Sequence, residues 1–479
     1  MTENTEQIWR LVDAKARPFN DLADRIWGMP ELAYTEHRSC AEHAAMLREQ
    51  GFRVTERVAG IPTAVMGEAG EGAPVIAILG EYDALPGLSQ EAGVAEQRPI
   101  PGNGFGHGCG HNLLGSAALL AATAVKDWLA ANGVAGRVRY YGCPAEEGGA
   151  AKGFMVRDGA FDDVDIAITW HPAAFSKVGD AISLANTRID FSFTGRASHA
   201  AAAPHLGRSA LDAVELMKVG VNYVREHMPS GARVHYAYLD AGGVAPNVVQ
   251  PTAKVRYLIR ARTLEELGPL VGRVRRIAEG AALMTETTVQ TRVVSAVSNM
   301  LGNTPLEEAM QAEFERLGPP PFDDLDRRKA AEFQATMTRE DIESSWRRAG
   351  LPMREGVPLC DMIVPLGTRG AVMVGSSDVG DVSWKIPTIE ARGAVYAIGT
   401  PGHSWQLTAQ GMLPAAHKGL VHVSKVMAGT AVAALRDPGL VERAKADHQR
   451  RTGGRPYASP LPPGTEPPLD MSLPAVAAE

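Results

Sequence analysis

Four cysteines in 479 residues (Cys40, Cys109, Cys143 and Cys360) are too few and too scattered for a disulfide framework. They read as free thiols, which fits a reducing cytoplasm and leaves Cys109 available as a ligand. Charge of one sign is also missing. Lys and Arg number 48 against 55 Asp and Glu, a net charge of −7, and no basic stripe runs along the chain, which argues against a nucleic-acid binder. No uninterrupted apolar run reaches the roughly 18 residues of a membrane span, so none is expected. The N-terminus, MTENTEQIWRLVDAKARPF, lacks the basic start and apolar stretch of a secretory signal. Glycine (50) and proline (32) are plentiful but follow no short period, which excludes a fibrous chain. What remains, 45% hydrophobic and 22% charged residues, is the composition of a soluble globular enzyme with more than one core.

The pattern along the chain predicts an α/β organisation. Residues 5–50 read as helical with a break at Gly28-Met29-Pro30. A strand pair is expected over 54–65. The run Pro74–Leu79, ended by Gly80, suits a strand buried on both faces. A long Ala/Leu-rich helix follows over 112–131 with Asn112 or a near neighbour as its cap, then strands at 138–142 and 164–169. From residue 188 the order becomes strand, helix, strand, strand, helix, strand, the pattern of a ferredoxin-like α+β unit. The expected division is 1–185 with 299–449 as one catalytic domain, 186–298 inserted into it, and a Pro/Gly-rich arm over 450–479. Residues 302–355 read as charged and helical around Pro319-Pro320-Pro321, and the α/β pattern resumes from Asp361.

Chemistry-bearing residues fall into a few short segments. His107-Gly108-Cys109-Gly110-His111-Asn112 gathers two His and a Cys within five positions of a chain that has 13 His and 4 Cys. Thiolate plus imidazole suits Zn, Mn or Co, and the glycines allow close approach. Read alone, the segment is also a glycine-rich loop capping a helix. Ala145-Glu146-Glu147-Gly148 follows a predicted strand. Its two carboxylates point apart, so one can bind metal while the other takes a proton, although an exposed acidic turn has the same composition. Trp170-His171-Pro172 and Gly402-His403-Ser404 follow apolar runs, the second after Ala394–Ile398. Gly80-Glu81-Tyr82-Asp83 carries carboxylates after the Val75–Leu79 strand. A lone His at a strand end is more often structural than a ligand. The set carries the weight, because most members lie just past a strand's C-terminal end, where open α/β sheets bind ligands.

At these residues the chain resembles metallopeptidase family 20, and within it the amidohydrolase branch that holds aminobenzoyl-glutamate hydrolases, indole-acetyl-amino-acid hydrolases and aminoacylase-like proteins. The resemblance also covers Gly195–His199, Pro246–Val249, Ile259–Ala261 and Ser376–Trp384, and around Asp378 and His403 it is closest to the aminobenzoyl-glutamate subgroup. It implies a zinc-peptidase-like catalytic domain with a mixed, mostly parallel sheet, and an inserted lid and dimerisation domain. It further implies two divalent ions (Mn, Zn or Co) on Cys109, His111, Glu147, His171 and His403, with Glu146 as catalytic base. Asp83 would orient a ligand histidine. His199 would polarise the substrate carbonyl in a partner's site, and Asn247 and Arg260 would hold the substrate's free carboxylate. Read without the resemblance, those last three are a surface histidine, a turn asparagine and an exposed strand arginine. A His near Glu81 and an Asp near Cys109, present in the zinc carboxypeptidase branch, are absent here. The activity implied is hydrolysis of an N-acyl or N-aroyl amino acid, aminobenzoyl-glutamate first, by a homodimer or with a related second subunit. A dipeptidase, an aryl-amine aminohydrolase and a non-catalytic partner subunit are the alternatives.

Overall fold

Residues 2–370 and 375–472 are described by the structure, a computed structural model. Its strands in chain order are β1 (Arg53–Glu56), β2 (Val65–Glu71), β3 (Val75–Glu81), the two-residue pair β4 (Leu85–Pro86) and β5 (Phe105–Gly106), β6 (Gly136–Cys143), β7 (Ile166–Ala173), β8 (Lys177–Val178), β9 (Ala185–Thr194), β10 (Arg233–Asp240), β11 (Thr252–Ala261), β12 (Thr288–Val297) and β13 (Thr388–Ala394). Seven of them form one sheet in the order β1-β2-β6-β3-β7-β13-β8. The pairs β6/β3, β3/β7 and β7/β13 are parallel, and the outer pairs are antiparallel. The apolar run expected to be buried on both faces is β3, every residue of which is buried at the sheet's centre.

Helices cover both faces, giving a three-layer α/β arrangement. Thr2–Trp27, His111–Asn132 and Pro414–Arg436 pack on one face around Leu119, Trp128, Ile78 and Val423. Ala151–Arg157 and Val379–Lys385 pack on the other through Phe154, Met155 and Val382. Each such buried aliphatic or aromatic side chain contributes about 1.5–3 kcal/mol. His111–Asn132 is long and apolar enough by length and composition to cross a membrane, yet 83% of that window is buried inside the protein, as a core helix is. The second sheet runs β10-β11-β9-β12, entirely antiparallel, with helices Ala210–Val224 and Leu264–Met284 packed on one face around Phe191, Met217 and Val274. That is the expected β-α-β-β-α-β unit, and its other face is turned to the first sheet's loops.

Several details differ from the sequence reading. The expected 54–65 pair is β1 with β2, and β2 continues to Glu71 because Gly67 and Gly70 sit where Leu47 and the Gly136 carbonyl leave no room for a side chain. Asn112 is not a cap. The helix is preceded by Gly110 in the left-handed region (φ 79°), and the Asn112 amide inside it donates to Ala23 O (3.3 Å) and Gly411 O (3.2 Å). The apolar run Ala394–Ile398 begins on the last residue of a strand and continues past it. β13 ends at Ala394, and Ala397 and Ile398 are apolar because they enter a core with Phe333 and Trp346. From Asp361 no regular element forms among the described residues until Val379. Helix Pro438–Thr452 carries the chain past the expected start of the C-terminal arm. The arm then packs Leu461 into the core, while residues 473–479 lie outside the described part.

Gly115 fixes how closely helix His111–Asn132 approaches β3. A Cβ there would stand 2.5 Å from Glu81 O and 2.8 Å from His43 Cε1. Gly115→Ala is therefore expected to destabilise the protein by about 1–3 kcal/mol in denaturant unfolding. An unchanged midpoint would contradict so close a contact.

Candidate metal centre

Three parallel contacts align β6, β3, β7 and β13 in one direction, so their C-terminal ends share one edge of the sheet. Glu81 ends β3 and Asp83 follows it. Glu146 and Glu147 follow β6, His171 lies near the end of β7, and His403 is in the loop after β13. Cys109 and His111 arrive at the same edge from the start of helix His111–Asn132. The turns are tight enough to force left-handed backbone at two non-glycine residues, Ala145 (φ 57°) and His403 (φ 55°). Such residues cost about 1–2 kcal/mol and persist where surrounding contacts hold them. For Ala145 the hold is visible: its N–H donates to buried Glu36 Oε1 (2.8 Å), and Tyr34 Oη donates to Gly149 O (2.9 Å) at the turn's far end.

The donor atoms form three groups: two share one sulfur, and the third is Glu81, His111 and Glu146. Cys109, His111 and His171 have ligand atoms within 4.8 Å of one another, and so do Cys109, Glu147 and His403. Cys109 Sγ is 3.3 Å from His171 Nε2, and His403 Nε2 is 3.4 Å from Glu147 Oε1. These separations suit a cation bound at about 2.0–2.3 Å by S, N and O. His111 Nε2 and Glu147 Oε1 are buried without a hydrogen bond, although Glu81 Oε2 lies 3.2 Å from the former. Such buried lone pairs are costly unless something occupies them. Asp83 turns them inward. Its Oδ1 is 2.9 Å from His111 Nδ1, and its Oδ2 accepts the Glu147 N–H at 2.9 Å. A proton on His111 Nδ1 leaves Nε2 facing the site.

The charges point the same way. Burial opposes ionisation of the Cys109 thiol, but His171 and His111 outweigh it and hold the thiol well below its ordinary range. Burial likewise opposes charge on His111, yet Cys109 and Asp83 hold it well above the usual imidazole range. Close approach of Cys109 and then Glu147 raises His403 to about 10. A thiolate and carboxylates that stabilise positive charge on the imidazoles this strongly would stabilise a divalent cation in the protons' place. Behind them, Lys152 Nζ bridges Glu81 Oε1 and Asp378 Oδ1, both at 2.6 Å and all buried. Burial pushes Glu81 up, but Lys152 and His111 overcome this and hold it low. Asp378, sharing the same cation, is shifted up by burial and by Glu81 beside it. Glu146 is driven well above the carboxylate range by burial, then by Glu81, Glu147 and Asp378. The residues present therefore fit a divalent cation, and Glu146 fits a proton acceptor.

A cavity of about 340 Å³ opens over this edge. It brings together Cys109, Glu146, Glu147, His171 and His403 with Arg260 from β11. His111 and Asp83 are buried beneath it. His199 and Asn247 do not line it. They are joined at an exposed edge of the β10-β11-β9-β12 unit, where Ala200 N–H donates to Asn247 O (2.9 Å). The sequence reading missed Glu81 as a site residue, although it stands two positions before Asp83. It also missed Lys152, Asp378 and Glu36. A buried Lys152 has no local signal, because its partners come from 71 and 226 residues away. Arg188, Glu390 and Arg392 also line the cavity. Burial, then Arg256 and Arg260, pushes Arg188 down to about 10.

Comparison with known proteins agrees with this arrangement. The profile of a family described as Peptidase family M20/M25/M40 matches residues 77–471. The chain is 46% identical over 477 residues to one of the subunits of p-aminobenzoyl-glutamate hydrolase from Escherichia coli (strain K12), covering 96% of this chain and 99% of that one. Among solved structures it is similar to an aminobenzoyl-glutamate utilization protein from Klebsiella pneumoniae (TM-score 0.57, 16% identity, 88% and 98% covered). It is also similar to a dinuclear metal binding peptidase of the M20 family from Bacillus subtilis (TM-score 0.55, 18% identity, 88% and 99% covered).

Because Cys109 belongs to both donor groups and His403 to one, their removal should differ. Cys109→Ala is expected to lose most bound metal, while His403→Ala keeps about half of the wild-type content by elemental analysis. Equal losses in the two variants would contradict a shared sulfur.

Proposed function

We propose that this chain, which belongs to peptidase family M20/M25/M40, cleaves the amide of an N-aroyl or N-acyl amino acid, with p-aminobenzoyl-glutamate the leading substrate. It is a metal-dependent amidohydrolase. The observation that carries the substrate reading is a half-buried carboxylate, Glu146, beside the two donor groups that share Cys109 in one cavity, in a chain 46% identical to a hydrolase named for that substrate.

Cys109, His111, Glu147, His171 and His403 would hold two divalent ions of the Zn, Mn or Co kind. When bound, they polarise the amide carbonyl and lower the pKa of a water towards about 7. Glu146 accepts the proton of the attacking water and passes it to the leaving amine nitrogen. Its raised proton affinity suits both halves of that transfer. Asp83 keeps the His111 ring oriented. Arg260 holds the free carboxylate of the amino acid from the inserted unit, read as a lid over residues 186–298.

His199 and Asn247 would serve the site of a second copy. Their exposure supports this, as does the apolar surface of Tyr236, Tyr238, Leu239 and Val248 beside them. The partner is a second copy or a related chain, since the Escherichia coli hydrolase is named as having two kinds of subunit. Four free thiols support a reducing cytoplasm.

Purified protein loaded in turn with Mn, Zn and Co should release p-aminobenzoate and glutamate. Glu146→Gln should lower kcat by about 100-fold or more while both metals stay bound. Near-wild-type turnover by that variant would remove Glu146 from the role of base.

A further inference from the structure

The sheet face above the metal centre carries a row of cations, and their partners differ. On β9 and β11, Arg256 Nε pairs with Asp190 Oδ1 (2.6 Å) and Lys254 Nζ with Asp190 Oδ2 (3.1 Å). Arg392, on β13, pairs with Glu390 (2.7 Å). Arg188 stands on the same face, half-buried and lining the cavity, and among the described residues it has no carboxylate within ion-pair distance and no hydrogen bond. An arginine fork in the cavity that none of the lining carboxylates pairs with is poised for an anion from outside.

Its position is fixed on two sides. A Cβ on Gly148 would stand 2.3 Å from Arg188 Nη1, so the guanidinium lies against the turn that carries Glu146 and Glu147. Across β9/β12, Arg188 is opposite Ser295, whose Oγ donates to Gly148 O at 3.0 Å. Across β9/β11, Arg188 is opposite Leu258, and Arg260 is opposite Asn186. Arg188 and Arg260 are therefore diagonal neighbours, with Cα atoms about 7–8 Å apart. The two carboxyl carbons of a glutamate are separated by four C–C bonds of about 1.5 Å, roughly 5 Å when extended. Two long side chains from that diagonal can converge on such a pair of groups.

We infer that Arg188 is a specificity-determining residue that takes the side-chain carboxylate of an acidic leaving amino acid, while Arg260 takes its α-carboxylate. Gly148 and Ser295 hold Arg188 beside the Glu146 turn. This rests on the reading of the cavity as an amide-hydrolase site. The enzyme then selects dicarboxylic amino acids, and a substrate with a neutral side chain leaves Arg188 without its anion.

The test compares wild type, Arg188→Gln and Arg260→Gln on p-aminobenzoyl-glutamate and p-aminobenzoyl-glutamine. Wild type should prefer the glutamate substrate by about 30-fold in kcat/KM, carried mainly by KM, the worth of a charged hydrogen-bonded pair. R188Q should bring the two substrates to near equality by losing the glutamate one, whereas R260Q should weaken both. Equal loss of both substrates in R188Q, or no loss, would overturn the inference. A binding experiment keeps it separate from the proposed activity and from any folding defect of the variant. Metal-loaded wild type should be stabilised by glutarate at concentrations where butyrate has no effect, and R188Q should not distinguish them. If wild type cleaves neither aminobenzoyl substrate, the activity reading fails while the glutarate result still decides Arg188. Equal responses of wild type to glutarate and butyrate would overturn it.

Discussion

Six acidic groups, Cys109, Glu81, Asp83, Glu146, Glu147 and Asp378, crowd one edge of a buried sheet, and the chain sets Lys152 among them as a fixed cation. That imbalance governs the rest of the site. Charge cannot be buried in such density without compensation. The shifts follow it: Glu146, His111 and His403 are all pushed towards their protonated forms. Divalent cations held by Cys109, His111, Glu147, His171 and His403 would supply compensating positive charge there. The topology creates the crowding: four strands running in one direction deliver their ends to the same place.

The rigid parts around the edge keep that cluster from relaxing. Glu36 and Tyr34, from the loop after the first helix, hold the Glu146 turn at both ends. Gly115 lets the helix that begins with His111 come against the strand that ends with Glu81. Ser295 ties the inserted unit to the same turn through the Gly148 carbonyl. The unit above the cavity is thereby linked to the Glu146 turn, and Arg188 and Arg260 from it line the cavity.

Much of this was legible in the sequence. Cys109 and His111 stand two residues apart between glycines. Glu146, Glu147 and His171 follow or end apolar runs that are strands, and Leu264–Met284 is a helix with the bounds its periodicity predicts. Other features were not, for physical reasons. Ala397 and Ile398 lie past the end of β13 and are apolar because they fill a core beside Trp346. Asn112 is polar because its amide satisfies two remote carbonyls, not because it caps a helix. Lys152 in a helix that also carries Arg157, and Arg188 on a half-buried strand, look like ordinary surface charges. Their meaning depends on Glu81, Asp378 and Gly148, which only the fold brings to them.

X-ray absorption spectroscopy of the Zn- or Co-loaded protein tests the shared-sulfur centre most directly. The account predicts one sulfur scatterer at about 2.3 Å from each metal and a second metal at about 3.5–4 Å. A spectrum with nitrogen and oxygen neighbours alone and no metal–metal scattering would contradict it.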